Sequence, residues 1–301
     1  MNPTNINIQL DEINSVLLES KQLELFVARL DLIHPIVSGN KLFKLYFFIK
    51  EAISTNKNTI VTMGGAYSNH LVATAFYCKQ AGLKCVGIVR GEMPVIKSHT
   101  LIDCENYGMK LIYTSRSDYN KIENDFVSEI TNEDSDDVFF IPEGGYHPLG
   151  AKGASLIMEQ IKEVEASHIC TAVGTATTLS GLVLSSKPNQ QIIAVPVLRG
   201  MNDLELRLNY LTENIEHKPP YILTEYHFGG YAKKDEILIQ FMNDFYTTFK
   251  VPTDFVYTSK LMYAIFDKIE SNFFPIGSKI VCLHTGGIQG NLSLPKGSLV
   301  F

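Results

Sequence analysis

Lys41 and Lys44 stand three residues apart in Ser38-Gly39-Asn40-Lys41-Leu42-Phe43-Lys44, which runs on into LYFFIKEAI. Leu42, Leu45, Tyr46, Ile49 and Ile53 recur at helical spacing, and Ser38 and Asn40 are good cap residues, so a helix is expected to open near Lys41. A cation in that first turn is disfavoured by the helix dipole, by up to ~1 kcal/mol. The spacing also gathers Lys41, Lys44 and Phe48 on one largely apolar face. Two snorkelling surface lysines are the ordinary reading of such a pair. The sharper reading gives each an anionic or covalent partner: a lysine near a helix N-terminus and beside a second cation loses its proton more easily, the state an imine-forming amine needs.

Three further segments place polar groups at turns that follow a strand. In NTIVTMGGAYSNHLVATAF, Gly64 and Gly65 allow a tight turn into a helix starting at about Ser68, whose N–H groups at Ser68, Asn69 and His70 would face an anion. An ordinary capped βα turn reads the same way, and His70 stands where the G-x-S-x-G nucleophile elbow needs glycine. In HICTAVGTATTLSGLVL the loop Gly174-Thr175-Ala176-Thr177-Thr178 offers backbone N–H groups and three hydroxyls to one small volume, with Gly181 at a close-packing position. It is neither a Walker loop nor a G-x-G-x-x-G turn. His284-Thr285-Gly286-Gly287 ends an apolar strand, where open α/β sheets bind ligands. Tyr257 in Asp254-Phe255-Val256-Tyr257-Thr258-Ser259-Lys260 and Tyr231 in Phe228-Gly229-Gly230-Tyr231 sit beside turns. None of the eight histidines has metal-site spacing, so no metal is expected.

The elements that must position these groups alternate in type. Short β-branched runs (NTIVTM, KCVGIV, Lys110 to Tyr113, Val138 to Ile141, His168 to Val173, Gln191 to Val197) are separated by segments of helical period, including Ser98 to Tyr107, a helix after Asp118 and one from Ala151 to Val164. That order predicts an α/β, doubly wound fold with parallel-rich sheets. The acidic stretch Asn132 to Asp137 reads as a solvated loop, the Gly- and Pro-rich 142–153 stretch as a domain crossover, and Lys218-Pro219-Pro220 as a connection.

Composition bounds the function classes. The chain has 301 residues, 45% of them hydrophobic and 19% charged, enough for a large core and unlike a disordered segment. The 26 Lys and Arg against 32 Asp and Glu give a net charge of −6, which offers nucleic acid no global attraction. The five cysteines are odd in number and lack C-x-x-C, so they read as small core residues in a reducing compartment. The N-terminus lacks a secretory pattern and no apolar run is long enough to cross a bilayer, giving a cytoplasmic expectation.

From about Leu25 (LFVARLDLIHPIVSGNKLFKL) to His284-Thr285-Gly286-Gly287, these motifs in this order resemble the fold-type-II (tryptophan synthase beta-like) pyridoxal-5′-phosphate enzymes. The specific resemblance is to the 1-aminocyclopropane-1-carboxylate deaminase / D-cysteine desulfhydrase family. The resemblance implies two doubly wound domains: a larger cofactor-binding one of residues 1–43 plus 153–301, and a smaller inserted one of residues 44–152. It implies that Lys41 is the covalent cofactor lysine and the base at the substrate Cα. Lys44 would contact the phosphate with the cup Gly174, Thr175, Ala176, Thr177 and Thr178, Asn69 would bond the phenolic oxygen, and Thr285 would partner the pyridine nitrogen. Ser68, Asn69 and His70 resemble the substrate-carboxylate site, with Ser68 close to the reacting atoms, and Tyr231 and Tyr257 resemble tyrosines that face the substrate and serve catalysis. A homodimer is also implied.

The sequence departs from the family pattern at Phe43, where many relatives have Arg, and at His70, where the deaminase pattern has Gln. Thr258 stands where the deaminases place Glu, and Thr258 with Thr285 is closer to the desulfhydrase pattern. The leading expectation is therefore a lyase or deaminase of a small amino acid, with α,β-elimination of D-cysteine to pyruvate, sulfide and ammonia as the first substrate assignment. Deamination of 1-aminocyclopropane-1-carboxylate to 2-oxobutyrate is the alternative. Two readings of other classes are a hydrolase with Ser68 as nucleophile and His70 or His284 as base, and a non-catalytic ligand-binding protein on the same fold.

Overall fold

The computed structural model describes residues 2–37, 39–122, 127–131 and 133–301. The chain begins with β1 (Leu10–Ile13), α1 (Val16–Lys21), β2 (Glu24–Arg29) and α2 (Lys41–Ser54). β3 (Thr59–Gly64), α3 (Asn69–Ala81), β4 (Lys84–Arg90), α4 (His99–Asn106), β5 (Met109–Thr114), short α5 (Arg116–Tyr119) and α6 (Val127–Thr131), and β6 (Val138–Ile141) follow. Then come α7 (Pro148–Gln160), β7 (His168–Val173), α8 (Thr177–Ser185), β8 (Gln191–Pro196), α9 (Leu204–Leu211), β9 (Tyr221–Ile222), α10 (Glu236–Phe249), α11 (Thr258–Glu270) and β10 (Lys279–His284).

The strands form two sheets. One has the order β1-β2-β10-β7-β8-β9 and is parallel except for the antiparallel edge pair β1–β2; the other has the order β5-β4-β3-β6 and is wholly parallel. Every strand of the second sheet comes from residues 59–141, whereas the first takes strands from both ends of the chain. Both faces of the central strands are covered, as parallel sheets require. Along β10, Val281 and Leu283 enter a core shared with α2, α7 and α8, while Ile280 and Cys282 enter the opposite core with Leu261, Ile265 and Ile269 of α11. All five cysteines are buried free thiols.

Each sheet has a switch point. From β3 the chain moves to β4 and β5 on one side, then crosses to β6 on the other; from β7 it moves to β8, while β10 lies on the other side. Crevices outside the carboxyl ends of strands at such points are where open α/β sheets take ligands. The Gly64–Ser68 turn and the Gly174–Thr178 loop lie at these two points.

Some expectations change. The helix expected after Asp118 corresponds to the short α6, and a further short helix not read from the sequence, α5, capped by Ser115, contains Asp118 itself. The helix expected from Ala151 starts at Pro148, where the missing N–H of proline is harmless and His147 caps the turn. Ser38, read as a cap residue, and Asn132, read as part of the acidic loop, lie outside the described residues. Asp137 is not merely solvated, because its carboxylate accepts from the Asn58 N–H at 3.0 Å and the Thr59 hydroxyl at 2.9 Å, pinning the start of β3. Gly181 is a close-packing residue, since a Cβ there would lie 2.6 Å from the Ala151 carbonyl oxygen.

Candidate active site

The cavity between the sheets' carboxyl ends has about 520 Å³ of empty space, a figure that includes the open solvent at its mouth. Lys41, Lys44, Asn69, Gly174, Thr175, Ala176, Thr177, Thr178, Tyr257 and Thr285 all line it. Residues more than 240 positions apart in the chain therefore converge, and they do so because each ends a strand or opens the helix that follows one.

Neither lysine is a snorkelling surface residue with an acidic partner. Lys44 is 5% exposed and its ammonium reaches only the Gly144 carbonyl, at 3.3 Å. Lys41 donates to the Asn40 side-chain oxygen at 2.6 Å, and among the described residues no carboxylate lies within ion-pair distance of either amine. Burial pushes the Lys41 amine down to about 8, with Asp254 pulling the other way. Burial first, and then the charge of Lys41, holds the Lys44 amine well below the usual lysine value.

Asn40 was expected as a helix cap, yet it makes no cap bond. Its amide instead bridges Lys41 and the Thr178 hydroxyl, the latter at 2.7 Å, linking the start of α2 to the start of α8. Gly39, with φ +79°, presses its backbone against Thr285, and the Asn40 N–H reaches the Thr285 carbonyl at 3.3 Å. The lysine-bearing turn is thereby fixed against the end of β10.

The Gly174–Thr178 loop has the form of an anion cup. Ala176 adopts φ +68°, a left-handed conformation that costs a non-glycine residue about 1–2 kcal/mol. The turn leaves the N–H groups of Thr175, Ala176, Thr177 and Thr178 without a protein acceptor among the described residues. A side chain at Gly174 would press on the Tyr257 ring, its Cβ 3.1 Å from the nearest ring atom. Across the cavity, the Asn69 side-chain oxygen is buried without a partner. An orphaned acceptor, two buried amines without counter-ions and a ring of free amides fit a phosphate-bearing aromatic aldehyde.

Three expected site residues stand back from the cavity lining. Ser68 caps α3 through Leu71 N–H at 3.4 Å, and its own N–H is bound to the Gly65 carbonyl, so of the three amides expected there only those of Asn69 and His70 remain free. The His70 imidazole is buried and bonds the Thr62 hydroxyl at 2.9 Å. Burial first, then the charges of Lys41 and Lys44, pushes it down to about 3, which keeps the ring neutral. Tyr231 is 50% exposed and reaches the site through Tyr257, with ring centroids 6.1 Å apart. The Tyr257 phenol is raised well above the usual value, first by burial, so it stays protonated.

The hydrolase reading finds no catalytic pair. His70 faces Thr62, and His284 donates to the Pro252 carbonyl at 2.7 Å with Asp31 3.2 Å from its other ring nitrogen; neither ring contacts Ser68. Phe43 is wholly buried in the core, its carbonyl against Gly153, and takes no part in the cavity.

Sequence reasoning passed over Asp254. Its carboxylate accepts from the N–H groups of Val256, Tyr257 and Thr258, each at 2.9 Å, and from the Thr258 hydroxyl at 2.7 Å. This buried cap orients Tyr257 and supplies the negative charge nearest Lys41. An Asp four residues ahead of the first helical residue was the available signal. The same bonds occupy the Thr258 hydroxyl, which points into the cap.

The pyridoxal-phosphate dependent enzyme family matches residues 8–286. A Pyrococcus abyssi protein provisionally named 1-aminocyclopropane-1-carboxylate deaminase is 28% identical over 288 residues, covering 89% of this chain and 86% of that protein. The D-cysteine desulfhydrase of Salmonella choleraesuis is 26% identical over 292 residues, covering 88% of this chain and 87% of that one. Among solved structures, an ACC deaminase homologue matches with a TM-score of 0.84 at 24% identity, over 97% of this chain and 92% of that chain. A hydrogen sulfide-producing enzyme from Fusobacterium nucleatum matches with a TM-score of 0.65 at 17% identity, over 93% of each chain. These two likenesses show the fold. No described helix is long and apolar enough to cross a membrane. The chain belongs to the family of pyridoxal-phosphate dependent enzymes, and its cofactor is pyridoxal 5′-phosphate.

Proposed function

We propose that the protein is a lyase of a small amino acid, and that it converts D-cysteine to pyruvate, sulfide and ammonia by α,β-elimination. The observation that carries the reading is the meeting of two counter-ion-free buried lysines, a ring of free amides and a protonated Tyr257 in one cavity. The residues that would hold the cofactor are Lys41 at its aldehyde, Lys44 and the 174–178 loop at its phosphate, Asn69 at its phenolic oxygen and Thr285 at its ring nitrogen. When bound, pyridoxal phosphate supplies an electron sink for charge developing at the substrate Cα.

The remaining work falls to side chains of this chain. Lys41, with its amine pushed down to about 8, has a substantial neutral fraction near neutral pH and takes the Cα proton. The free amides of Asn69 and His70 at the start of α3, with the Ser68 hydroxyl beside them, receive the substrate carboxylate. Tyr257 holds its proton and passes it to the departing thiolate, and Tyr231 orients the substrate against it. Thr285 carries no charge, so unlike a carboxylate it does not hold a proton on the ring nitrogen. That favours an elimination whose leaving group departs early over a reaction that needs a long-lived carbanion.

The domain limits 1–43 plus 153–301 and 44–152, and a homodimer, belong to this reading; the division of strands between the two sheets supports the first. A keto-acid release assay on D-cysteine, 1-aminocyclopropane-1-carboxylate, L-cysteine and D-serine tests the function. Pyruvate and sulfide from D-cysteine are expected. Release of 2-oxobutyrate from the cyclopropane substrate alone would move the protein to the deaminase class, supported by the names of relatives such as the Pyrococcus protein. Cofactor binding without turnover of any of the four would overturn the enzymatic reading.

A further inference from the structure

Lys260, apart from the cavity lining, is wholly buried at 0% exposure in the first turn of α11, three residues after Tyr257. Among the described residues it pairs with no carboxylate. Its ammonium instead donates to the carbonyls of His227 and Gly230, each at 2.8 Å. Those carbonyls belong to a turn with an unusual backbone: Phe228, Gly229 and Gly230 have φ of +50°, +87° and +121° in succession. The next residue is Tyr231, half exposed, with its ring 6.1 Å from that of Tyr257 at 72°.

Gly229 and Gly230 take positive φ freely, so the strained residue of the three is Phe228, whose left-handed conformation is held by its surroundings. Here the turn makes its own bonds from Gly230 N–H to the His227 carbonyl at 3.0 Å and from Gly229 N–H to the His227 ring at 2.9 Å. Among its long-range restraints are the Phe228 ring on Tyr263 of α11, centroids 5.0 Å apart, and the ammonium, which bonds the carbonyls on either side of the 228–229 step. Charge-assisted bonds to two carbonyls are stronger than neutral ones. The helix that supplies the ammonium is also the helix whose first residues follow Tyr257 and are capped by Asp254. Both tyrosines are therefore referred to one rigid element, one through the cap and the other through Lys260.

We propose that Lys260 is a positioning residue whose ammonium clamps the 227–230 turn to α11 and thereby presents Tyr231 to the substrate beside Tyr257. This rests on the proposed role of Tyr231 at the site, but the clamp itself does not. Neither a catalytic nor a cofactor contact is assigned to Lys260. Its amine is pushed down to about 8 by burial, with Asp254 and Asp235 pulling it up, and either protonation state retains the two N–H donors the carbonyls use.

The test combines hydrogen exchange with a mutant cycle on the holoenzyme. In Lys260→Met, backbone amides of residues 228–233 are expected to exchange at least about tenfold faster than in the wild type, while those of β7 and β10 are unchanged. Tyr231→Phe and Lys260→Met should each lower kcat/KM for the turned-over substrate, and the double variant should be no worse than the poorer single one, because the lysine acts through the tyrosine. If Lys260→Met does not fold, Lys260→Gln, which keeps one donor pair, goes through the same measurements with a smaller increase in exchange expected. Unchanged exchange at 228–233, or losses that multiply in the double variant, would overturn the proposal. If no amino acid is turned over, the function fails and the exchange comparison alone decides the clamp.

Discussion

Gly39→Ala probes the joint on which the site depends. Gly39 has φ +79°, donates its N–H to the Leu30 carbonyl at 2.7 Å, and leaves no room for a side chain: a Cβ would lie 1.9 Å from the Thr285 carbonyl oxygen. The left-handed conformation costs an alanine about 1–2 kcal/mol. The overlap is with backbone, so the Gly39–Asn40 segment must move away by more than an ångström, and the Gly39–Leu30 and Asn40–Thr285 bonds go with it, at about 1 kcal/mol each. The sum is about 3–4 kcal/mol, a large share of the roughly 5–15 kcal/mol that holds a domain together. Urea unfolding of the apoprotein should show that loss, and absorbance titration with pyridoxal phosphate should show weakened binding, since Lys41 and Thr285 no longer share one frame. A variant within about 1 kcal/mol of the wild type that binds the cofactor as tightly would refute the reasoning.

Three more outcomes follow from the charges. On the proposed assignment the neutral Lys41 amine attacks the cofactor aldehyde, and its value is lowered to about 8, so the rate at which apoprotein captures pyridoxal phosphate should rise with pH and level off above about 8. Asp254 holds that value up, so Asp254→Asn should move the midpoint lower; stopped-flow absorbance reads both, and a midpoint near that of free lysine would contradict the burial argument. Lys44→Met removes the buried amine opposite the free amides and should weaken cofactor binding by roughly 10- to 100-fold, in line with the loss of a hydrogen bond to a charged phosphate, as measured by equilibrium dialysis; unchanged affinity would remove Lys44 from the phosphate site.

The central strand β7 was legible because both its faces are apolar: it has the limits read from His168 to Val173. The edges of the larger sheet were not. β1 is a four-residue strand with one buried side chain, and β9 has only two residues, both exposed, so neither leaves a periodic trace. In the site, residues at strand ends and helix starts could be picked out by local spacing, which is how Lys41, Lys44, Asn69, the 174–178 loop and Thr285 were found before their convergence was visible. Asp254 caps its own sequence neighbours, whereas Asn40 and Lys260 act through partners chosen by tertiary structure. Asn40 looks locally like a cap, yet its partner Thr178 is 138 positions away; Lys260 looks like a surface lysine, yet its partners lie 30 and 33 positions back.

The central claim is that Lys41 is the amine that carries the cofactor. Lys44 and Lys260 are also buried lysines with lowered amines, so the assignment is a real choice among three. Borohydride reduction of the holoenzyme, followed by proteolysis and peptide mass mapping, tests it in one step. The pyridoxyl group is expected on the peptide containing Lys41, at that residue. Its appearance on Lys44 or Lys260, or on no lysine at all, would contradict the account.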